Sequence, residues 1–165
     1  LIFTTKNNFV NQINNVLIDK YLGELTEYLS YDETLNENQQ VEYIDLLNTL
    51  TPSGLPPYRL LLKSNVLIIL LRNIDPPKGL CNGMRLIVIS LSKNVIHARI
   101  SFGDFSSKYV FIYRISMPAP NDEQYPMPYK TTQFPIRLCS AITTKSARID
   151  IRFCRDIPKR TSIFL

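Results

Sequence analysis

The residues best suited to chemistry near the start of the chain are Thr4-Thr5-Lys6-Asn7, where hydroxyl, ammonium and amide groups follow the apolar "LIF". Phe9, Val10, Ile13, Val16, Leu17 and Tyr21 then recur at helical spacing, with Asn7 or Asn8 placed to cap the helix. A polar turn ahead of a helix N-terminus leaves backbone N–H groups pointing outward, and with a lysine beside them it suits a phosphate. The same residues serve equally as a simple capping turn. A second candidate is "LLRNIDPPKGLCNGMRLIVIS", Leu70 to Ser90. Pro76 and Pro77 lack donors and fix φ, while Gly79, Asn82 and Gly83 tolerate positive φ. A hairpin needs only a two-residue turn. Spending about a dozen residues points to a loop shaped to hold or touch something.

Other chemistry is poorly supplied. His97 is the only histidine, which leaves a zinc site or a Ser-His-Asp triad without support. It lies in "VIHARI" at strand spacing and reads as an outward strand residue. Cys81, Cys139 and Cys154 form no CxxC, and their odd number and wide spread fit reduced thiols in an intracellular protein. None of the five glycines stands in a G-x-x-x-x-G-K-[ST] pattern. No acid pair, metal cluster or nucleophile constellation stands out.

These residues must be positioned by a chain of 165 residues, enough for one domain or for a domain with a small insert. Hydrophobic residues make up 45%, so a core can form, and the formal net charge is +5. Eight of the 14 acids fall between residues 19 and 45, and eight of the 19 bases between 130 and 160. A basic C-terminal third can meet phosphates or simply be a solvated face. "LIFTTKNN" is too short and turns polar too soon to be expected as a signal peptide, and no apolar run approaches the roughly 18 residues of a membrane span. The first residue is Leu, not Met, so the chain is expected to be a fragment.

"LIFT", the polar turn and the helix make the repeating unit of an α/β sheet. "TEYLSY" reads as a strand, and "VEYIDLLNTL" as a short helix ended by "TPSGLPP". From Tyr58 the runs "YRLLLK", "NVLIILLR", "MRLIVISL", "NVIHARIS" and "KYVFIYRI" predict five short strands and hence a small barrel. Pro118, Pro120, Pro126 and Pro128 mark a linker, after which "TQFPIRLCSAITTKS" returns as strand and turn.

"LTPSGLPPYRLLLK", "LLRNIDPPKGLCNGMRLIV" and "FPIRL" resemble the C-terminal half of the Pif-type (petite-integration-frequency) DNA helicases, in particular the branch carried by rolling-circle transposons, the Helitrons. "IFTTKNNFVNQIN" resembles the first motif of that family's second RecA-like domain. The resemblance covers residues 1–146. It implies an α/β fold: the start of the second motor domain over 1–57, an inserted small Src-homology-like β-barrel over 58–115, a Pro-rich linker over 116–133 and a return to the motor domain over 134–146. It also implies single-stranded DNA contacts through Thr4, Lys6 and Asn7, with Thr5 beside them. Further contacts are implied through Thr143, Lys145 and Ser146 of "AITTKS", and a barrel-loop contact through Arg72 and Asn82. ATP and Mg²⁺ are the cofactors of the intact family, and neither is expected on this chain alone, because the P-loop belongs to a first motor domain that it lacks.

The chain departs from the family in places. Asn65 and Met84 replace a usual Gly and Thr, and "AITTKS" is one residue short and continues Ala147-Arg148-Ile149 in place of Gln-Gly-Gln. The tail, 147–165, does not resemble the family. Dropping the first base of one back-translation of that tail restores Gln-Gly-stop-Thr-Leu-Asp-Phe-Val-Gly-Ile-Tyr-Leu, close to the family's continuation. The tail therefore reads as a frameshifted translation of a decayed gene. Three functions compete: a piece of a nuclear DNA helicase motor, a stand-alone nucleic-acid-binding module, and a non-functional transposon relic. The first describes ancestry. The third is preferred over the second for the chain by itself, which is expected to be inactive as an ATPase.

Overall fold

The computed structural model of the chain describes residues 2–4, 14, 16–34, 54–119, 128–139 and 141–143. The expected helix in "VEYIDLLNTL" and the divergent tail lie outside the described residues. The helical spacing after Asn8 appears as helix at residue 14 and at 16–20, with Ile18 turned into the core. After the opening strand β1 (Ile2–Thr4), "TEYLSY" carries β2 (Thr26–Leu29) and the first residue of β3 (Tyr31–Thr34).

All five runs after Tyr58 are strands: β4 (Arg59–Leu62), β5 (Leu67–Leu70), β6 (Arg85–Leu91), β7 (Val95–Ile100) and β8 (Tyr109–Tyr113). Their alternation explains them. Leu60 and Leu62, Ile68 and Leu70, Leu86 and Val88, and Ile96, Ala98 and Ile100 point inward, each at most 1% exposed. After these come β9 (Ile115–Pro118), β10 (Tyr129–Gln133), β11 (Ile136–Leu138) and β12 (Ala141–Thr143).

One sheet runs in the order β11-β5-β6-β7-β8, every pair antiparallel. A bulge between Val88 and Ser90 shifts the β6–β7 register and lets β6 curl. The antiparallel pair β2–β4 adds Tyr28, Leu60 and Leu62 to the same apolar cluster, with Phe134 and Ile136 from the returning chain. A third sheet runs β3-β10-β9. Strands β1 and β12 form a separate parallel pair, Ile2 beside Ala141, Phe3 beside Ile142 and Thr4 beside Thr143. Parallel neighbours cannot be joined by a tight turn, and here residues 5–140 lie between them.

The barrel is not confined to 58–115. Strand β4 leaves the five-stranded sheet to pair with β2, and its place is taken by β11, from the segment assigned to the motor domain. The reason lies in β11's own pattern. Ile136 and Leu138 are buried on either side of Arg137, and the edge of β5 is open to them. Leu71 N–H donates to Pro135 O (2.8 Å) and Cys139 N–H to Leu67 O (2.9 Å), clamping both ends. The segment read as a Pro-rich linker, 116–133, carries most of β9 and all of β10, which pair with each other. Pro118 is tolerated because β9 is an edge strand, where the missing N–H costs no ladder bond. Tyr129, Thr131 and Gln133 alternate inward along β10.

Candidate nucleic-acid interface

The parallel pair places two of the expected contact residues side by side. Thr4 ends β1, Thr143 ends β12, and they are register partners. Both chains therefore leave the pair at the same, C-terminal end, where ligands sit in open α/β sheets. Lys6, Asn7, Lys145 and Ser146, which follow them in sequence, lie outside the described residues. A residue the sequence did not single out ties the two halves together. Buried Asn14 donates through Nδ2 to Leu138 O (3.2 Å), joining the helix that follows the first turn to the strand that leads into β12.

The loop between β5 and β6 is locked by its own hydrogen bonds. Pro76–Lys78 forms one 3-10 turn, which Gly79 ends at φ 83°, donating to Pro76 O (2.9 Å). Ile74 N–H donates to Leu80 O and Leu80 N–H to Asp75 O (2.9 and 3.0 Å), while buried Leu80 anchors the loop in the core. Lys78 Nζ lies 2.7 Å from the Asp75 carboxylate, and that hydrogen bond holds the Lys78 pKa above its ordinary value. A Cβ on Gly79 would meet the Phe105 ring at 2.6 Å, so the loop is also seated against the β7–β8 connection. Asn82 is exposed, and its N–H donates to Asn73 Oδ1 (2.8 Å). That bond brings Arg72 and Asn82, the two expected loop contacts, to the same mouth of the loop.

Two further turns are built as the residue types allow. Asn65 stands at φ 64° between β4 and β5, where the sequence departs from a usual glycine, and asparagine is among the side chains most tolerant there. Gly83 stands at φ 89° beside Asn82.

Polar side chains inside the structure hold the three antiparallel sheets in place. Gln133 is fully buried. Its amide donates to Tyr28 O (3.0 Å) and Tyr58 O (3.4 Å), and its Oε1 accepts from Phe134 N–H (3.0 Å). Tyr28 packs edge-on to Phe134 at 5.0 Å and donates its hydroxyl to Ser92 O (2.9 Å). Burial raises the Tyr28 pKa against the opposing charge of Arg114, so the hydroxyl stays a donor. Arg114 spans the same seam: its guanidinium lies 5.0 Å from the Phe134 ring centre and donates to Leu29 O (2.7 Å). Polar residues on buried strand faces were the available signal for Gln133, but nothing in the sequence said which carbonyls it would meet. Among the described residues no group of three His, Cys, Asp or Glu side chains could hold a metal ion.

Residues 45–91 match the family model described as DNA helicase Pif1, 2B domain. Solved structures match over most of the chain. The structure of unliganded Pif1 from Bacteroides sp. has a TM-score of 0.61 at 23% identity, over 90% of this chain and 42% of that one. Bacteroides Pif1 bound to ssDNA has a TM-score of 0.63 at 23% identity, over 88% of this chain and 31% of that one. The fold is that of part of a Pif1 helicase. The Candida albicans Pif1 helicase has the same TM-score, 0.63, at 17% identity, over 89% of this chain and 37% of that one. The architecture is accordingly α/β, part of the second RecA-like domain carrying the small β-barrel. The chain spans less than half the length of each of these Pif1 chains. No curated protein matches the chain by sequence.

Proposed function

We propose that this chain is the 2B barrel and the adjoining part of the second motor domain of a Pif-type ATP-dependent DNA helicase, and that its task is to hold single-stranded DNA phosphates. The observation that carries this reading is the pairing of Thr4 with Thr143 at the C-terminal end of two parallel strands. Thr4, Lys6 and Asn7 on one side, and Thr143, Lys145 and Ser146 on the other, are the donors. The locked loop adds Arg72 and Asn82 beside the strand's path. The similarity to a Bacteroides Pif1 whose structure holds ssDNA supports the ligand class. ATP and Mg²⁺ belong to the first motor domain, so the 165-residue chain binds DNA without turning over ATP.

The test is a salt titration of a short single-stranded oligonucleotide against the parent and Lys6→Ala/Lys145→Ala. Two lysines neutralise about two phosphates, giving weak binding and a log–log salt slope on the order of −1.5 from this site. Nothing in the site reads base edges, so sequence preference is slight. Affinity unchanged in the double variant removes this site. ATP turnover that co-purifies with the chain and is lost in the variant contradicts the assignment of the nucleotide to another domain.

A second reading concerns ancestry. The motif breaks off at Ala147, and a one-base shift of one back-translation of the tail spells a stretch close to the family's continuation, with one stop codon in it. This favours a decayed gene of the rolling-circle-transposon branch, whose product would act in the nucleus if at all. Sequencing the coding DNA decides it: a shifted frame that does not spell the continuation ends the idea.

A further inference from the structure

The outward face of β7 and β8 is lined with rings that the core does not use. Strand β8 contributes Ile112, and in part Val110, to the core, while Tyr109, Phe111 and Tyr113 are 62%, 56% and 60% exposed. Every second residue of the strand is thus an open aromatic, and among the described residues β8 is the edge of its sheet. Across the ladder Tyr109 faces Arg99, Phe111 faces His97 and Tyr113 faces Val95. The His97 ring stacks on Phe111 at 4.9 Å and 22°, and leans on Tyr109 at 5.4 Å and 38°. His97 thereby holds its two neighbours upright before any ligand arrives, lowering the entropy lost on binding. Exposed rings on an edge strand invite aggregation, so they stand out as a surface with a use.

The charge around the rings names the occupant. Between residues 76 and 119 the chain carries six lysines and arginines and one acid, Asp104. Arg85, Ile87 and Arg99 lie on the same outward face as the rings. A second copy of this chain would bring the same cations against them. A polyanion with flat apolar groups satisfies both features, and successive outward rings about 6.8 Å apart along a strand can each receive one base.

We propose that the face formed by His97, Tyr109, Phe111 and Tyr113 is a stacking platform for single-stranded nucleic acid, with Arg99 meeting its phosphates. It rests on the proposed function for the ligand class only. Its residues are separate from the turns after β1 and β12 and from the β5–β6 loop.

The experiment uses the full 165-residue chain with a single-stranded oligonucleotide carrying 5-iodouracil, reading affinity by fluorescence anisotropy and the crosslinked peptide by mass spectrometry. The variants are Tyr109→Leu/Phe111→Leu, Tyr109→Phe as the ring-preserving control, and Lys6→Ala/Lys145→Ala. The leucine pair is expected to weaken binding on the order of tenfold with the salt slope unchanged, because stacking releases no counterions. Tyr109→Phe keeps the parental affinity, and the parent crosslinks within residues 109–113. A folded leucine pair that binds like the parent overturns the proposal, as do crosslinks confined to other peptides. A leucine pair that only turns a dimer into a monomer also overturns it and assigns the face to a second copy. If the leucine pair does not fold, the crosslink map of the parent decides by itself. Crosslinks at 109–113 that persist in a lysine variant of unchanged affinity retire the phosphate-turn site and leave this one standing. Binding lost in the lysine variant alone does the reverse.

Discussion

Gly79 and Asn65 show how single residues set the site's geometry. Both stand at positive φ, 83° and 64°, a region that costs an ordinary L-residue roughly 1–2 kcal/mol. Gly79→Ala adds a methyl that meets the Phe105 ring, so the substitution is expected to cost about 1–3 kcal/mol, read as a lower urea midpoint with unchanged slope. Asn65→Gly is expected to be close to neutral, whereas Asn65→Val loses on the order of 1–2 kcal/mol, because a β-branched side chain is least tolerated there. Gln133 is a different case. Gln133→Leu keeps the volume but leaves the buried Phe134 N–H without its acceptor and Tyr28 O without this donor. The expected loss is about 2–4 kcal/mol in chemical denaturation, the cost of orphaned buried groups and not of lost packing.

At the scale of elements, the three-stranded sheet β3-β10-β9 has an electrostatic tie. Lys130 and Glu33 are register partners, with Nζ 2.7 Å from the carboxylate. The hydrogen bond from Lys130 holds the Glu33 carboxyl below its ordinary range, and the same bond holds the Lys130 ammonium above its own. A lowered carboxyl pKa contributes stability that is present above the unfolded value and lost as pH falls through the folded one. A raised ammonium pKa contributes stability that is present below the unfolded value and lost as pH rises through the folded one. The pair therefore acts from above the ordinary carboxylate range up to the ordinary lysine range. Lys130→Gln is expected to flatten the acid limb of melting temperature against pH, and 1 M salt to do the same to the parent, because the pair is solvent-exposed. An acid limb that survives in the variant rules this pair out as its source.

At the scale of the whole molecule, the barrel depends on strands far away in sequence. β5 is flanked by β11, and β4 by β2, so residues 58–115 alone would expose the edges of both strands and lose Tyr28, Phe134 and Ile136 from the core. The excised segment 58–115 is expected to show no cooperative urea transition by circular dichroism, whereas the full chain does. A sharp transition in the excised segment would make the insert independent. The same dependence couples the pair β1–β12 to the barrel, because β11, which pairs with β5, runs on within a few residues into β12, which pairs with β1. A load at the ends of β1 and β12 is in this way passed to the barrel.

Strand positions were legible because short apolar runs bounded by turn residues are a local signal; "VIHARI" also states its inward face by alternation, whereas "RLLL" and "RLIVISL" are continuous apolar runs whose buried side only the structure shows. The β5–β6 loop was legible for the same local reason, since Pro76, Pro77, Gly79 and Gly83 restrict or free their own φ. His97 was readable as outward, but its stacking on Phe111 was not. Tyr109, Phe111 and Tyr113 also read simply as good strand formers, because aromatic residues favour strands whether or not they end up buried. Which strand pairs with which is not a local property. Nothing in "FPIRL" names β5 as its neighbour, and nothing in "LIFT" points across the chain to "AITT". The choice of β5 for β11 is made by the total apolar area that closes around Leu62, Ile68, Phe134 and Ile136, a sum over residues that meet only once the chain has folded.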